Sequence, residues 1–366
     1  MKYYIIAGER SGDLHGSNLI KALKSQQVDS EIRCWGGDAM EEAGGELVTH
    51  YREMAYMGFW EVIKHLGAIR QKIKFCKEDI LAFKPDAIIL IDYAGFNMRI
   101  AKFAKAYHIP VHYYISPKVW AWNQKRALKI KKNVDYMYVI LPFEQDFYKR
   151  YGFKVDYVGN PLLDAIRDFK PSDDFSFKDK DVIAVLPGSR EQEVIHMLDN
   201  LQKVTQEFPH EHFVVAGVKN LDRSLYAKVE NQPNLSLIFD ETYDLLSNAK
   251  AALVTSGTAT LETALFNVPE VVVYKTGKIS YAIAKKVVKV EFISLVNLIL
   301  QKEAVKELIQ EKFTVKNIAA ELEHILPNGQ KRDQVFKDYK VLKDMMGDEN
   351  TSQKTADLII ERTTNS

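Results

Sequence analysis

Four short stretches carry side chains whose types and spacing suit phosphates and sugar hydroxyls: AGERSGD (Ala7–Asp13), IDYAGFN (Ile91–Asn97), LPGSREQEV (Leu186–Val194) and VTSGTATLE (Val254–Glu262). In LPGSREQEV an apolar run ends at Pro187-Gly188 and leads into a helix-like segment from near Arg190. A strand, a small-residue turn and a helix N-terminus make an anion site, because the free N–H groups and the helix dipole point the same way. Gly188 and Ser189 would shape that turn, and Arg190 would add a permanent cation able to grip a phosphate with two bonds. The rival reading is punctuation, a tight connection between strand and helix. VTSGTATLE repeats the pattern with Ser256, Gly257 and Thr258 in the turn and Thr260 and Glu262 early in the helix. Hydroxyls beside free N–H groups suit a diphosphate, and a carboxylate at that depth suits a ribose diol. An ordinary capped helix with an early acid uses the same residues. Two anion-suited turns in one half of the chain weigh toward a nucleotide.

The first half offers a carboxylate. Asp92 ends the apolar run DAIILID, where it would be partly desolvated and able to take a proton from a hydroxyl. It could equally cap a helix beginning near Phe96 or Asn97. The glycines Gly8, Gly12 and Gly16 match neither the dinucleotide fingerprint nor the P-loop, and no lysine follows them, which speaks against ATP hydrolysis. Ser11, Gly12 and Asp13 could still cradle a sugar or phosphate, with Ser116 at the end of VHYYIS on the same acceptor side; a purely structural turn is the alternative. No metal or cofactor is expected. Asp179-Lys180-Asp181 lies before a strand, at the wrong end of a sheet for a ligand, and His210 and His212 have no third ligand nearby.

The elements that must position these residues are short Val-, Ile- and Tyr-rich runs alternating with helical segments. YYIIAG, DAIILID, VHYYIS and DYMYVIL in the first half are followed by DVIAVLPG, HFVVAG, LSLIFD, AALVTSG and VVVYKT in the second. Continuous apolar runs suit strands buried on both faces of a parallel sheet. Helices are expected near 15–25, 59–82, 97–107 and 118–132. The pattern predicts an α/β chain of two doubly wound, Rossmann-like domains with the four stretches lining a cleft. The expected division is 1–165, a polar linker 166–180, a donor domain 181–326, and C-terminal helices 327–366.

Bulk properties agree. A chain of 366 residues is long for one hydrophobic core. A formal net charge of +1 argues against nucleic acid as a partner. Two cysteines make neither a disulfide framework nor a zinc pattern, which points to the cytoplasm. MAYMGFWEVIKHLGAIRQKIKFCK (Met54–Lys77) mixes basic residues with an apolar face that includes Met57, Phe59, Trp60, Ile63 and Leu66. Such a helix can lie in a bilayer interface; core packing is the alternative. NQKRALKIKKN (Asn123–Asn133) reads as a solvated basic helix face.

AGERSGDLHG, MGFWEV, HYYISPKVWAWNQKR, LPFEQDFY, LPGSREQEV, SGTATLE and FISLVNLIL, in that order, give the chain a resemblance to the lipid-A-disaccharide synthase family. That resemblance implies a metal-independent GT-B glycosyltransferase of lipopolysaccharide assembly in Gram-negative bacteria. It would join UDP-2,3-diacylglucosamine to 2,3-diacylglucosamine 1-phosphate (lipid X) through a β-1′,6 linkage and release UDP. Asp92 matches the family's proposed general base, Arg190 the arginine of its UDP site, and Ser256–Glu262 with Asn297 the lining of its donor pocket. The resemblance also implies peripheral association with the inner face of the inner membrane, and leaves room for a homodimer. The chain departs from the family at Gly95, where a second acid is common, and at Val296, where a proline is common.

Overall fold

A computed structural model describes residues 1–53, 66–229, 232–348 and 350–365. The chain divides into two compact units, Met1–Asp164 with Asp348–Ser366, and Ala165–Gly347.

The first unit is built on a seven-stranded parallel sheet. Its strands are β1 (Lys2–Ala7), β2 (Glu31–Gly36), β3 (Glu46–His50), β4 (Ala87–Ile91), β5 (Val111–Tyr114), β6 (Tyr136–Val139) and β7 (Asp156–Tyr157). They lie in the order β3-β2-β1-β4-β5-β6-β7. Tyr3–Ala7 and Ala87–Ile91 are wholly buried, as continuous apolar runs between two helical layers should be. The sequence pattern missed β2 and β3 because charge interrupts them: Arg33 of β2 pairs with Glu46 at 2.8 Å and Asp79 at 2.9 Å.

The second unit repeats the plan with β8 (Val182–Leu186), β9 (His212–Gly217), β10 (Leu235–Phe239), β11 (Ala249–Thr255), β12 (Glu270–Tyr274) and β13 (Lys306–Ile309). Their order is β10-β9-β8-β11-β12-β13, again all parallel. Only β13, which carries Lys306 and Glu307, has no apolar run to announce it.

Strand order reverses between β1 and β4 in one sheet and between β8 and β11 in the other. Ligands of open parallel sheets bind beyond the carboxyl ends of the strands at such a reversal. The four chemistry-bearing stretches follow these four strands and no others.

Four features differ from the sequence expectation. The first helix begins at Arg10 rather than near 15. The segment 118–132 breaks into Val119–Trp122 and Arg126–Asn133. The final helices, grouped together on sequence, divide: Arg332–Met346 stays with the second unit, where the Tyr339 hydroxyl donates to the Val268 carbonyl at 3.1 Å. Thr351–Thr364 returns to the first, where Ala356 and Ile359 join the core around Tyr3, Ile5 and Leu19. Residues 166–180 belong to the second unit, with Phe175 in its core.

Candidate active site

Asp92 follows the last residue of β4 and leaves the strand with φ +43°, and Tyr93 follows at φ +45°. Two successive non-glycine residues in the left-handed region cost about 1–3 kcal/mol each, so something must hold them there. The Asp92 carbonyl accepts from the Tyr113 hydroxyl at 2.5 Å and from Asn97 Nδ2 at 2.9 Å, and Asn97 also donates to the Ile91 carbonyl at 3.1 Å. Tyr113 and Asn97 are buried, which makes this clamp rigid. The helix Ala94–Ala106 takes Tyr93 as its N-cap, with no side-chain capping bond, so Asp92 is not spent as a helix cap.

Burial pushes the Asp92 carboxyl up to about 6, from an ordinary 3.8. The nearby Glu9 carboxylate adds to the rise, while Lys118 and the Tyr93 backbone N–H oppose it. Half the carboxyls are therefore deprotonated near pH 6 and most of them at neutrality, where they are still basic enough to take a hydroxyl proton in a transition state. Neither Glu9 nor Lys118 stood out in the sequence. The only signal was charge placed in the loops that follow β1 and β5, the strands on either side of β4.

Gly8 makes room for this turn. A Cβ on Gly8 would lie 2.2 Å from Cγ of Tyr93, so Gly8→Ala must displace the ring that follows Asp92. Overpacking of this kind costs about 1–3 kcal/mol. A lower calorimetric midpoint together with reduced turnover is the expected result; an unchanged midpoint would show that Tyr93 is free to move.

The residues placed on the acceptor side divide. Ser11 is exposed at the mouth of β1. Gly12 is buried, and a Cβ there would sit 3.1 Å from the Ala7 Cβ, so it serves close packing of helix on strand. Asp13 is corrected to a structural role: its carboxylate accepts from the backbone N–H groups of Gly37 (2.7 Å), Ala39 (3.2 Å) and Met40 (3.1 Å), capping the short helix Asp38–Glu42. Ser116 is also internal, with its hydroxyl 2.7 Å from that of Tyr148. Below it lies Glu144, a residue the sequence did not single out. It accepts from Leu141 N at 3.0 Å and Trp120 Nε1 at 3.2 Å, and burial pushes its carboxyl up to about 7. Ser116 and Glu144 thus anchor the loop SPKVWAW.

In the second unit Gly188 has φ +96°, and a Cβ there would meet Glu193 Oε2 at 2.5 Å. Glu193 closes the turn. Its Oε2 accepts from the N–H of Ser189 (3.2 Å) and of Arg190 (3.3 Å), and its Oε1 from the Arg190 guanidinium (3.1 Å). The LPGSR turn therefore forms a capping box around the chain's own carboxylate, and the N–H groups of Ser189 and Arg190 are already taken by it. The Arg190 side chain remains 78% exposed and able to meet an anion.

The turn after β11 is tied to this one by the Thr255 hydroxyl, which donates to the Pro187 carbonyl at 3.0 Å. Gly257 and Thr258 are exposed at the start of the helix Thr258–Leu265. Ser256, Thr260 and Glu262 turn inward. Ser256 Oγ donates to the Ile293 carbonyl (2.8 Å) and Thr260 Oγ1 to the Gly257 carbonyl (2.9 Å), while Glu262 Oε1 accepts from the Tyr243 hydroxyl (2.9 Å). Burial raises the Glu262 carboxyl.

Asn297 is the clearest correction. It is fully buried, and its amide is saturated: Nδ2 donates to the Val305 carbonyl (2.8 Å) and Glu307 Oε1 (2.9 Å), and Oδ1 accepts from the N–H groups of Ala304 (2.8 Å) and Val305 (2.9 Å). Such an amide has no hydrogen bond left for a nucleotide; it shapes the loop that supports Ser256.

Comparison with known proteins agrees with this geometry. The family model described as Lipid-A-disaccharide synthetase matches residues 3–360. Lipid-A-disaccharide synthase of Syntrophus aciditrophicus is 38% identical over 365 residues, covering 96% of this chain and 95% of that protein. That of Geobacter sulfurreducens is 34% identical, with 98% and 96% covered. The chain belongs to the lipid-A-disaccharide synthase family. It is accordingly a glycosyltransferase of the lipid A disaccharide-forming kind, acting on a UDP-sugar and a lipid acceptor. Among solved structures, UDP-GlcNAc 2-epimerase from Neisseria meningitidis bound to UDP-GlcNAc superposes with a TM-score of 0.68 at 14% identity, with both chains fully covered. The glycotransferase of kitacinnamycin superposes with a TM-score of 0.66 at 13% identity, covering 99% of this chain and 98% of that one. These likenesses give the GT-B fold of two Rossmann-like units.

The apolar residues Met57, Phe59, Trp60 and Ile63 lie outside the described residues, as does the side chain of Leu66. In the described part of that helix, Leu66–Phe83, the residues Ile73, Cys76 and Ile80 are buried in the core. Among the described residues no helix is long and apolar enough to cross a membrane.

Proposed function

We propose that the protein transfers 2,3-diacylglucosamine from UDP to the 6-hydroxyl of 2,3-diacylglucosamine 1-phosphate, with inversion at the anomeric carbon. Asp92 takes the hydroxyl proton as the oxygen attacks that carbon. The bond from the anomeric carbon to the β-phosphate oxygen breaks, and UDP leaves with the electron pair. Arg190 and the N-terminal turn of the helix Thr258–Leu265 meet the growing charge on the diphosphate, the work that oriented dipoles and fixed cations do best. The observation that carries this reading is the Asp92 carboxyl: held by a strained, clamped turn at the strand-order reversal, and raised to about 6. Both substrates are acylated, which supports peripheral association with the inner face of the inner membrane through Met57, Phe59, Trp60, Ile63 and Leu66.

The test is a mixed-micelle assay with both substrates, following UDP release and the tetra-acylated disaccharide phosphate. Disaccharide formation that disappears in the Asp92 variant supports the reading. Conversion of the UDP-sugar without acceptor would make the chain an epimerase, and UDP binding without turnover would make it a binding module. Arg190→Ala should weaken UDP binding about 10–100-fold, the effect of one hydrogen-bonded charge. Calorimetric titration with UDP checks this; unchanged affinity would remove Arg190 from the donor site.

A further inference from the structure

The first unit holds a cavity of about 390 Å³ beside the base that none of these roles uses. Met98, Val119 and Ile130 give it an apolar wall, while Lys102, Arg126, Lys129 and Lys132 stand around it. Among the described residues none of these four cations has a carboxylate in ion-pair reach. An apolar pocket rimmed by unneutralised cations is complementary to an anionic amphiphile, and its size falls within the roughly 300–1,000 Å³ of small-molecule sites.

Its position ties it to the reaction. Ala94, two residues past Asp92, forms one edge, and Pro117 and Val119 flank Lys118, whose charge acts on the Asp92 carboxylate. Arg126 acts in turn on Tyr113, whose hydroxyl holds the Asp92 carbonyl. A molecule seated here rests on the same two loops that carry the base.

We infer that this groove binds the acceptor, an acylated sugar phosphate, with its phosphate against Arg126, Lys129 and Lys132 and one acyl chain along Met98, Val119 and Ile130. The inference rests on the reaction proposed above and adds where the acceptor's far end is held. It also gives the basic helix Arg126–Asn133 a role beyond a solvated face. The phosphate contacts are charge-assisted and the chain contacts scale with buried methylenes, so the two parts can be measured separately.

Dodecyl phosphate below its micelle concentration, dodecyl maltoside and inorganic phosphate are the probes, titrated calorimetrically into the full-length chain. Dodecyl phosphate should bind well above both controls. Lys129→Ala/Lys132→Ala, on an exposed helix face that tolerates alanine, should weaken it about tenfold and raise the acceptor KM by a similar factor. UDP affinity and donor KM should hold. Met98→Ser should weaken dodecyl phosphate while leaving inorganic phosphate unaltered. Equal binding of inorganic and dodecyl phosphate would overturn the amphiphile. An unchanged acceptor KM in the double variant, or a loss confined to anionic vesicle binding, would overturn the acceptor site in favour of a free-phosphate or membrane face. Because the probe titration needs no turnover, a failure of the proposed reaction leaves the binding result readable, and the two failures are distinguishable.

Discussion

Asp92→Asn is expected to lower kcat by roughly 10²–10⁴-fold while UDP affinity stays near wild type, because a positioned general base contributes that much to the chemical step and little to donor binding. The asparagine keeps the shape and the backbone clamp to Tyr113 and Asn97, so the loss reports the proton acceptor alone. In the wild-type protein kcat/KM should climb as pH rises through about 6 and fall about tenfold per unit below it, since only the carboxylate can accept the proton. The stability consequence has the opposite sign. The folded-state value of about 6 exceeds the ordinary 3.8, so the folded state holds the proton more tightly and stability falls as pH rises from near 4 to 6. Above that window the buried charge is a standing cost, which the asparagine lacks. The variant should therefore melt higher than wild type at pH 8 and level with it below pH 4. A flat activity profile, or a variant that loses UDP binding and turnover together, would remove Asp92 from the role of base.

Much of this architecture is legible in the chain because its inner strands are uninterrupted. DAIILID and DVIAVL each lie between neighbours in a sheet covered on both faces, and nothing but apolar residues is tolerated there. The outer strands Glu31–Gly36, Glu46–His50 and Lys306–Ile309 escape the pattern because their charged residues find partners across space: Arg33 on Asp79, and Glu307 on the backbone N–H groups of Ile293 and Ser294. Which residues bear chemistry is harder to read for a related reason. Asp13, Asp92 and Glu193 all stand within a few residues of a strand end and a glycine, Asp92 in the turn itself and the other two in the first turn of the helix that follows, and the sequence treats them alike. Only the fold shows that Asp13 and Glu193 each spend their oxygens on several backbone N–H groups, while the Asp92 carboxyl meets the Tyr93 N–H and is raised by burial. Glu9, Lys118 and Glu144 were invisible for the complementary reason, that their meaning comes from partners many residues away.

Asn297→Ala is expected to destabilise the second unit by about 3–5 kcal/mol. The substitution removes four buried hydrogen bonds at once and strips this partner from the Val305 N–H and carbonyl, while the Ala304 N–H keeps the Lys302 carbonyl and Glu307 Oε1 keeps the N–H groups of Ile293 and Ser294. Each orphaned group carries its own desolvation cost, which is why the total exceeds the net worth of the bonds. For a unit of this size the thermal midpoint should drop on the order of 10 °C, and scanning calorimetry would resolve it. The effect should spread along the loop to Ser256, whose hydroxyl rests on Ile293, and Ile293 is held in turn by Glu307. Donor affinity would then fall only as far as the folded population does, and UDP at saturating concentration should restore part of the lost midpoint. Asn297→Asp sharpens the test. It keeps the volume but sets a second carboxylate against Glu307, so the folded pair binds a proton more tightly than the unfolded chain, and its stability should recover as pH is lowered. An alanine variant that melts like wild type yet no longer binds UDP would instead make Asn297 a ligand of the nucleotide. The saturated amide argues against that outcome: a side chain already spending both donors and both acceptors on its own loop acts on the donor site through the loop's shape.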